Sequence, residues 1–258
     1  MMDWPLLGAL WLTAAVMMTL GWLWQRRRSN AGIVDVLWSV GLASGAVVSA
    51  IQGQGAAAPR VLVGLFGGVW AARLAAHLWL RVRSEPEDGR YRALRERWAG
   101  NQVKWFGLFQ FQALLIPLFC IPFVAAAANP APQFVGVVLA FLFWNASVLG
   151  ESLADHQLAR FRADPANRGR TCRAGLWRYS RHPNYFFECL HWFSYVALSW
   201  GGPTLGYSWL GPALMFVFLR WISGVPYTEA QALRTRGADY REYQRTTSML
   251  IPWPPRKG

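Results

Sequence analysis

The chain has 258 residues, of which 54% are hydrophobic and only 15% charged, and its net charge is +13. Soluble domains carry about 25% charged residues. This composition therefore excludes a water-soluble enzyme, a disordered chain and a fibrous protein, and fits an integral membrane protein. A nucleic-acid binder spreads its basic residues over a soluble fold; here they fall in clusters between apolar runs, so no nucleic-acid partner is expected.

A membrane helix needs about 20 apolar residues. Seven stretches qualify, at about 4–24, 33–52, 61–80, 105–125, 133–153, 184–201 and 205–224. The first has Asp3 before it and Arg26, Arg27 and Arg28 after it. A signal peptide carries its charge before the apolar run, so a retained first span is expected. The second holds Asp35 near one end, with Trp38 one turn on. In the third, Arg73, His77 and Arg81 are spaced i, i+4, i+8 and share a face. The fifth holds Asn145, Glu151 and Ser152. In the sixth, Pro183 suits a first helical turn, and Asn184, Glu188 and His191 share a face with Tyr195 beyond them. Gly201, Gly202 and Pro203 separate the last two spans by little more than a turn. No internal repeat is visible.

The connections alternate in charge. One set holds Arg26–Arg28, Arg81–Lys104, Arg160–Arg181 and Arg234–Lys257; of 26 basic residues, only Arg60, Arg73 and Arg220 lie elsewhere. The positive-inside rule then places the N-terminus outside and the C-terminus in the cytoplasm, which requires an odd number of spans. The expectation is an all-α membrane protein with seven transmembrane helices, forming one domain over 1–258.

Ionisable residues within a span are costly and mark function. Asp35, Asn184 and Glu188 are functional candidates on that ground, whereas Arg81 reads as a snorkelling interfacial residue. His191 is equally a helix-packing hydrogen bonder or a ligand contact. His77, His156, His182 and His191 show no HxxxH or HxH spacing, and Cys120, Cys172 and Cys189 form no CxxC. No metal site and no structural disulfide are expected. Neither GxSxG, GxGxxG nor a P-loop occurs. The segment Gly175-Leu-Trp-Arg-Tyr-Ser-Arg-His-Pro-Asn-Tyr-Phe-Phe-Glu188 offers a different phosphate cradle, with Arg178, Arg181 and His182 around a helix N-terminus.

That segment resembles the signature of the steroid 5-alpha-reductase C-terminal family, including its bacterial members. Tyr240-Arg-Glu-Tyr-Gln-Arg-Thr-Thr-Ser-Met-Leu-Ile-Pro-Trp253 is similar to the same family's ending. Asp88-Gly-Arg-Tyr91 and Val34-Asp-Val-Leu-Trp38 resemble patterns of its bacterial branch. The signature is densest over 145–258. The resemblance implies a seven-helix reductase of the bacterial cytoplasmic membrane, with its cofactor site facing the cytoplasm, that uses NADPH to reduce the 4,5 double bond of a 3-oxo-4-ene steroid. It also implies roles. Asp155, Arg162 and Arg170 lie where the family contacts the cofactor. Asn184 and Glu188 match residues on the nicotinamide side, and Tyr179 a Tyr ahead of them. Asp35 stands for the Glu that holds the substrate carbonyl. The accompanying Tyr has no counterpart near His77, and His77 or Tyr91 is its candidate replacement.

The reaction so implied is a conjugate reduction. Hydride goes to the β-carbon of an enone, and charge develops on the carbonyl oxygen. A desolvated, protonated Asp35 or a donating His77 would stabilise that charge. The 2′-phosphate calls for the arginines of 160–181 and 234–245, which adds Arg181, His182, Arg234, Tyr240 and Tyr243 to the expected cofactor-binding set. A lipophilic substrate would enter from the bilayer. The alternative enzyme class is a membrane methyltransferase of the isoprenylcysteine or phospholipid type, which the Arg181-His182-Pro183-x-Tyr185 core also resembles and which binds S-adenosylmethionine. A transporter is the non-enzymatic alternative, but it predicts inverted repeats, and none is visible.

Overall fold

A computed structural model describes residues 1–256, and all their regular structure is helical. In chain order the helices are α1 (Trp4–Arg28), α2 (Ile33–Gln52), α3 (Ala57–Ser84), α4 (Gly89–Arg97), α5 (Gln102–Ala127) and α6 (Phe134–Ala163). Then follow α7 (Pro183–Leu198), α8 (Leu205–Ser208), α9 (Leu210–Val217) and α10 (Val225–Thr246). A π turn, Phe218–Ile222, lies between α9 and α10, and two 3-10 turns, Pro165–Asn167 and Gly175–Arg178, lie between α6 and α7.

Among the described residues, six stretches are long and apolar enough to cross a bilayer: α1, α2, α3, α5, α6 and the run Leu205–Thr246. Six such helices support an integral membrane protein. The expected span at 184–201 takes a different form. It is α7, with only 16 residues, about 24 Å at 1.5 Å per residue against a hydrocarbon core of about 30 Å. The helix stops because the chain turns at once: Gly202 N–H bonds the Ser199 carbonyl, and Gly201 has a φ of 82°. In contrast, α3 and α6 outrun their apolar stretches and end in basic turns, Arg81 with Arg83 and Arg160 with Arg162. Cations at a helix C-terminus interact favourably with its dipole.

The chain divides into two compact units, Met1–Val137 with Tyr195–Leu210, and Val138–Ser194 with Gly211 onward. In the first, α2 is central and packs on α3, α5 and α1, while α1 also packs on α5. Lipid supplies no hydrophobic drive between helices, so close van der Waals fit decides the packing, and small residues permit it. A Cβ at Gly41 would sit 2.6 Å from Ile116, and one at Gly45 would sit 2.3 Å from the Cys120 sulfur. Each pair lies one turn along both α2 and α5, so the seam runs lengthwise.

The polar ends of this unit are tied by hydrogen bonds. Asp3 caps α1 by accepting from Leu6 N–H at 2.9 Å. Arg60 closes the end of α2 by donating to the carbonyls of Ala50 (2.9 Å) and Ile51 (3.0 Å). The buried Asn129 amide donates to the carbonyls of Leu198 and Trp200, at 2.8 and 3.2 Å.

In the second unit, α6 and α7 come close because Gly150 has no side chain; a Cβ there would meet the Phe187 ring at 2.3 Å. Farther along α6, Trp177 donates its indole N–H to the Ala154 carbonyl (2.9 Å), and Gln157 accepts from Leu176 N–H (2.9 Å). The loop before α7 is thereby pinned to α6. Gly175, at φ 59°, leaves room for Gln157 to do this. Within α10 the helix breaks at Gly237 (φ 52°, ψ −117°).

The α2–α5 seam is open to a direct test. Gly45→Val should lower stability by about 1–3 kcal/mol, the usual cost of overpacking, read as a lower melting temperature in detergent. Gly8→Ala, where an added Cβ meets nothing within 4 Å, should not lower it.

Candidate functional site

Two clusters of polar side chains stand out, one in each unit. The first is built on the start of α2 and on α4. Asp88 caps α4 by accepting from Arg90 N–H at 2.9 Å. That fixes the first turn of α4 and aims the next two side chains. Arg90 Nη2 donates to Asp35 Oδ2 at 3.0 Å, and Tyr91 O–H donates to Asp35 Oδ1 at 2.7 Å. Arg90 Nε is held by Asp88 at 3.2 Å. The far end of α4 is anchored separately. Arg95 pairs with Glu87 at 2.7 Å, and Glu87 also accepts from Ala31 N–H at 2.7 Å, just before α2.

The electrostatics follow from these contacts. Burial would raise the Asp88 carboxyl, but the Arg90 backbone N–H and guanidinium outweigh it and hold it below the usual carboxylate range. Burial, and then the neighbouring Asp35 charge, push the Tyr91 phenol well above its ordinary value, so it stays neutral. Asp35 and Tyr91, one of the two candidate replacements for the family's Tyr, are thus brought together. His77 is not: it is exposed on α3 and bonds neither of them. Arg81 is exposed at the end of α3 and pairs loosely with Glu85 and Asp88, at 3.5 and 3.4 Å. An interfacial position fits both contacts.

The second cluster begins at Pro183, which does start α7. Of the residues expected around it, Arg178 is exposed, whereas Arg181 and His182 do not point to open space. Arg181 Nε donates to Glu229 Oε1 at 2.7 Å, and its Nη1 donates to the carbonyls of Gln244 (3.0 Å) and Thr247 (2.7 Å). His182 Nε2 lies 3.2 Å from the same Glu229 oxygen and stacks on Tyr185, with ring centroids 5.2 Å apart. Gln244 donates to Glu229 Oε2 at 2.7 Å, and Tyr240 O–H donates to Oε1 at 3.3 Å. Tyr243 O–H reaches the carbonyls of Trp177 and Ser180. Ser180 itself donates to the Leu250 carbonyl at 2.8 Å. Arg181, His182, Tyr240 and Tyr243 therefore bind the protein's own atoms, joining the turn before α7 to α10 and the tail. Tyr179 is exposed, and its carbonyl receives the Trp253 N–H at 2.9 Å.

Other expected residues lie elsewhere in this unit. Asn184 donates to Asp155 Oδ1 at 3.3 Å, joining α7 to α6, and Glu188 is half-buried one turn farther along α7. Arg162 and Arg170 both line a cavity of about 390 Å³ between the end of α6, the loop after it and α10. Arg168 and Arg236 join them there, with Asp164 as an acidic wall residue. Arg234 is exposed and outside that lining, while its neighbours Thr235 and Arg236 are in it. Successive helical side chains point about 100° apart, so membership of a basic cluster does not place a given arginine. Cys172 also borders the cavity; burial pushes its thiol up, so it stays protonated.

Arginine forks around a concave space of this size are the donor set that phosphate oxygens take. The lining therefore fits the phosphate-bearing part of a nucleotide. Its residues Arg168 and Arg236 carry no signal in the sequence beyond their charge. Glu229 and Gln244 are likewise invisible there, since nothing in α10 marks which acid turns inward. Arg90 was within reach, as the third residue of Asp88-Gly-Arg-Tyr91.

The family described as "Protein of unknown function (DUF1295)" matches residues 21–247, most of the chain. The protein belongs to the DUF1295 family. This family is membrane-associated and related to steroid 5-alpha-reductase-like and methyltransferase-like proteins. No curated protein and no solved structure matches the chain. The matched range includes both clusters of this DUF1295 member, with Asp35, Tyr91, the arginine-lined cavity and Glu229 all inside it.

Glu229 holds the second cluster together, with side chains of Glu229 and Arg181 only 15% and 11% exposed. Glu229→Ala would leave Arg181 buried without its counter-ion, which costs about 3–5 kcal/mol. Thermal unfolding of the purified variant should show that loss. Glu242→Ala, at an exposed partner of Arg173, should cost less than about 1 kcal/mol.

Proposed function

We propose that this DUF1295 protein is an NADPH-dependent reductase of a lipophilic enone, a 3-oxo-4-ene steroid or a compound of similar shape. The observation that carries the reading is the cavity of about 390 Å³ lined by Arg162, Arg168, Arg170 and Arg236. S-Adenosylmethionine, the cofactor of the alternative methyltransferase reading, has no phosphate and a cationic sulfur, so four arginines suit it poorly. They suit NADPH, whose three phosphate groups need bidentate cationic partners.

Within this reading NADPH supplies the hydride when bound. The chain's residues do the rest. The cavity arginines hold phosphate oxygens. Asn184 and Asp155, already paired across α6 and α7, with Glu188 a turn away, orient the nicotinamide end. The α2–α4 cluster of Asp35, Arg90 and Tyr91 serves the substrate carbonyl. The apolar helices keep the substrate out of water. The resemblance to the bacterial branch makes the cytoplasmic membrane the location, with the cavity on its cytoplasmic side.

We also propose a seventh crossing, made by α7 and the turn that follows it. The support is the charge distribution. All but three of the 26 basic residues fall in alternate connections, and the positive-inside rule puts those in the cytoplasm. The three charge-rich connections and a cytoplasmic C-terminus are then satisfied only by an odd number of crossings with the N-terminus outside.

Two measurements test these proposals. Purified protein should be stabilised against heat by NADPH and should oxidise it when an enone is supplied. Arg162→Gln and Arg170→Gln should each weaken NADPH binding by about tenfold or more, the worth of a charge-assisted hydrogen bond. Stabilisation by S-adenosylmethionine instead of NADPH would favour the methyltransferase. For topology, a C-terminal green fluorescent protein fusion should fluoresce and a C-terminal alkaline phosphatase fusion should be inactive; the reverse pattern would overturn the orientation.

A further inference from the structure

We propose that Arg90 is a catalytic residue of this reaction, whose Nη1 group takes up the negative charge that develops on the substrate's carbonyl oxygen. The inference rests on the reductase reading and changes which member of the α2–α4 cluster meets the substrate.

Three observations point to Arg90. First, Asp35 is already engaged on both oxygens, by Tyr91 O–H at 2.7 Å and by Arg90 at 3.0 Å. With Oδ2 accepting from Arg90 and Oδ1 from Tyr91, Asp35 has no free oxygen to turn toward a substrate. Second, Tyr91 has a single proton, which it gives to Asp35, and its side chain is buried, with 5% of the residue exposed. Third, Arg90 has donors to spare. Its Nε and Nη2 are fixed by Asp88 and Asp35, its Nη1 makes no hydrogen bond among the described residues, and its side chain is 34% exposed. Of the three groups Asp35, Tyr91 and Arg90, it is the accessible donor and the one with positive charge.

The geometry also explains why two carboxylates flank one arginine. Asp35 and Asp88 bind different nitrogens of the guanidinium and so hold it in place, and the Tyr91 ring lies against it, 5.2 Å from Arg90 Cζ. A cation held in advance stabilises a transition state without having to reorganise when charge appears. The electron count is simple. Hydride addition to the β-carbon breaks the carbon–carbon π bond and moves its electrons through the enone to oxygen. The α-carbon then takes a proton from water and the ketone re-forms. Arg90 gives up no proton; it lowers the energy of the oxyanion between those events. Asp35, Asp88 and Tyr91 are then positioning residues.

The competing role is a brace between α2 and α4, and the test separates the two. The full-length protein in lipid nanodiscs is assayed for enone-dependent NADPH oxidation, NADPH affinity and melting temperature. Arg90→Gln should lower kcat by about 100-fold to 1,000-fold, the effect of removing one oxyanion donor, with NADPH affinity unchanged. Arg90→Lys should retain part of the activity, and methylguanidine added to Arg90→Ala should restore part of it. An Arg90→Gln enzyme with kcat within threefold of wild type would overturn the proposal. So would an Arg90→Ala enzyme that melts lower and gains nothing from methylguanidine, which marks a brace. A wild-type protein that oxidises no NADPH with any enone removes the reductase reading and this role together, whereas active wild type with an unimpaired Arg90→Gln removes this role alone.

Discussion

Charge is costly in hydrocarbon, and an ionised side chain near the membrane persists only with a partner or with water. The arrangement of this protein follows from that cost. The apolar stretches of its long helices are nearly free of charge, and their packing relies on close backbone approach at positions such as Gly41 and Gly45. The ionised groups that do lie next to apolar stretches come as closed sets. Asp35 has Arg90 and Tyr91; Glu229 has Arg181, His182, Gln244 and Tyr240. Satisfying these groups is what fixes the loops and short helices that shape each candidate site.

The two sets differ in how far they are buried. Around Glu229 both carboxylate oxygens are taken, Arg181 donates through Nε and Nη1 with its side chain 11% exposed, and the partners reach from the turn before α7 to Thr247. This is a clasp. It holds α10 so that Thr235 and Arg236, half a turn from the Gly237 break, face the loop that carries Arg168 and Arg170. Of the cavity-wall arginines, Arg236 lies over the Tyr240 ring at 5.2 Å, whereas Arg162, Arg168 and Arg170 make no hydrogen bond to that clasp among the described residues, which is the physical difference between a cation that builds the fold and one that can take a ligand.

Much of this was readable from the sequence, to different depths. Spans at 33–52 and 4–24 were close to α2 and α1 because a long apolar run bounded by charge has only one stable form in lipid. The region 184–201 forms a shorter helix than its hydropathy suggests, because hydropathy counts residues regardless of whether the backbone stays helical; Gly201 and the Ser199 turn shorten the helix without lowering its apolar content. Pro183 marked the start of α7 through its missing N–H. The basic residues around it were legible as a cluster but not as partners. Whether Arg181 meets a phosphate or Glu229 depends on an acid 48 positions away, on a helix whose orientation the sequence does not encode locally. The same holds for Asp35 and Tyr91, where two short motifs were visible and their meeting was not.

That meeting also alters the chemistry expected of Asp35. An acidic residue in an apolar span, taken alone, is expected to hold its proton, because desolvation disfavours the charged form. A fixed guanidinium beside it opposes that effect, since it favours the ion pair over a neutral acid. The negative charge of Asp35 is then committed to Arg90, and the net charge left at the carbonyl end of the cluster is set by how Arg90 divides its hydrogen bonds. With Asp35 and Asp88 both on the guanidinium, the unpaired donor edge is the one direction in which the cluster attracts an oxygen. Sequence reasoning on single residues assigns the acid the active part; the pairwise geometry moves it to the neighbouring cation.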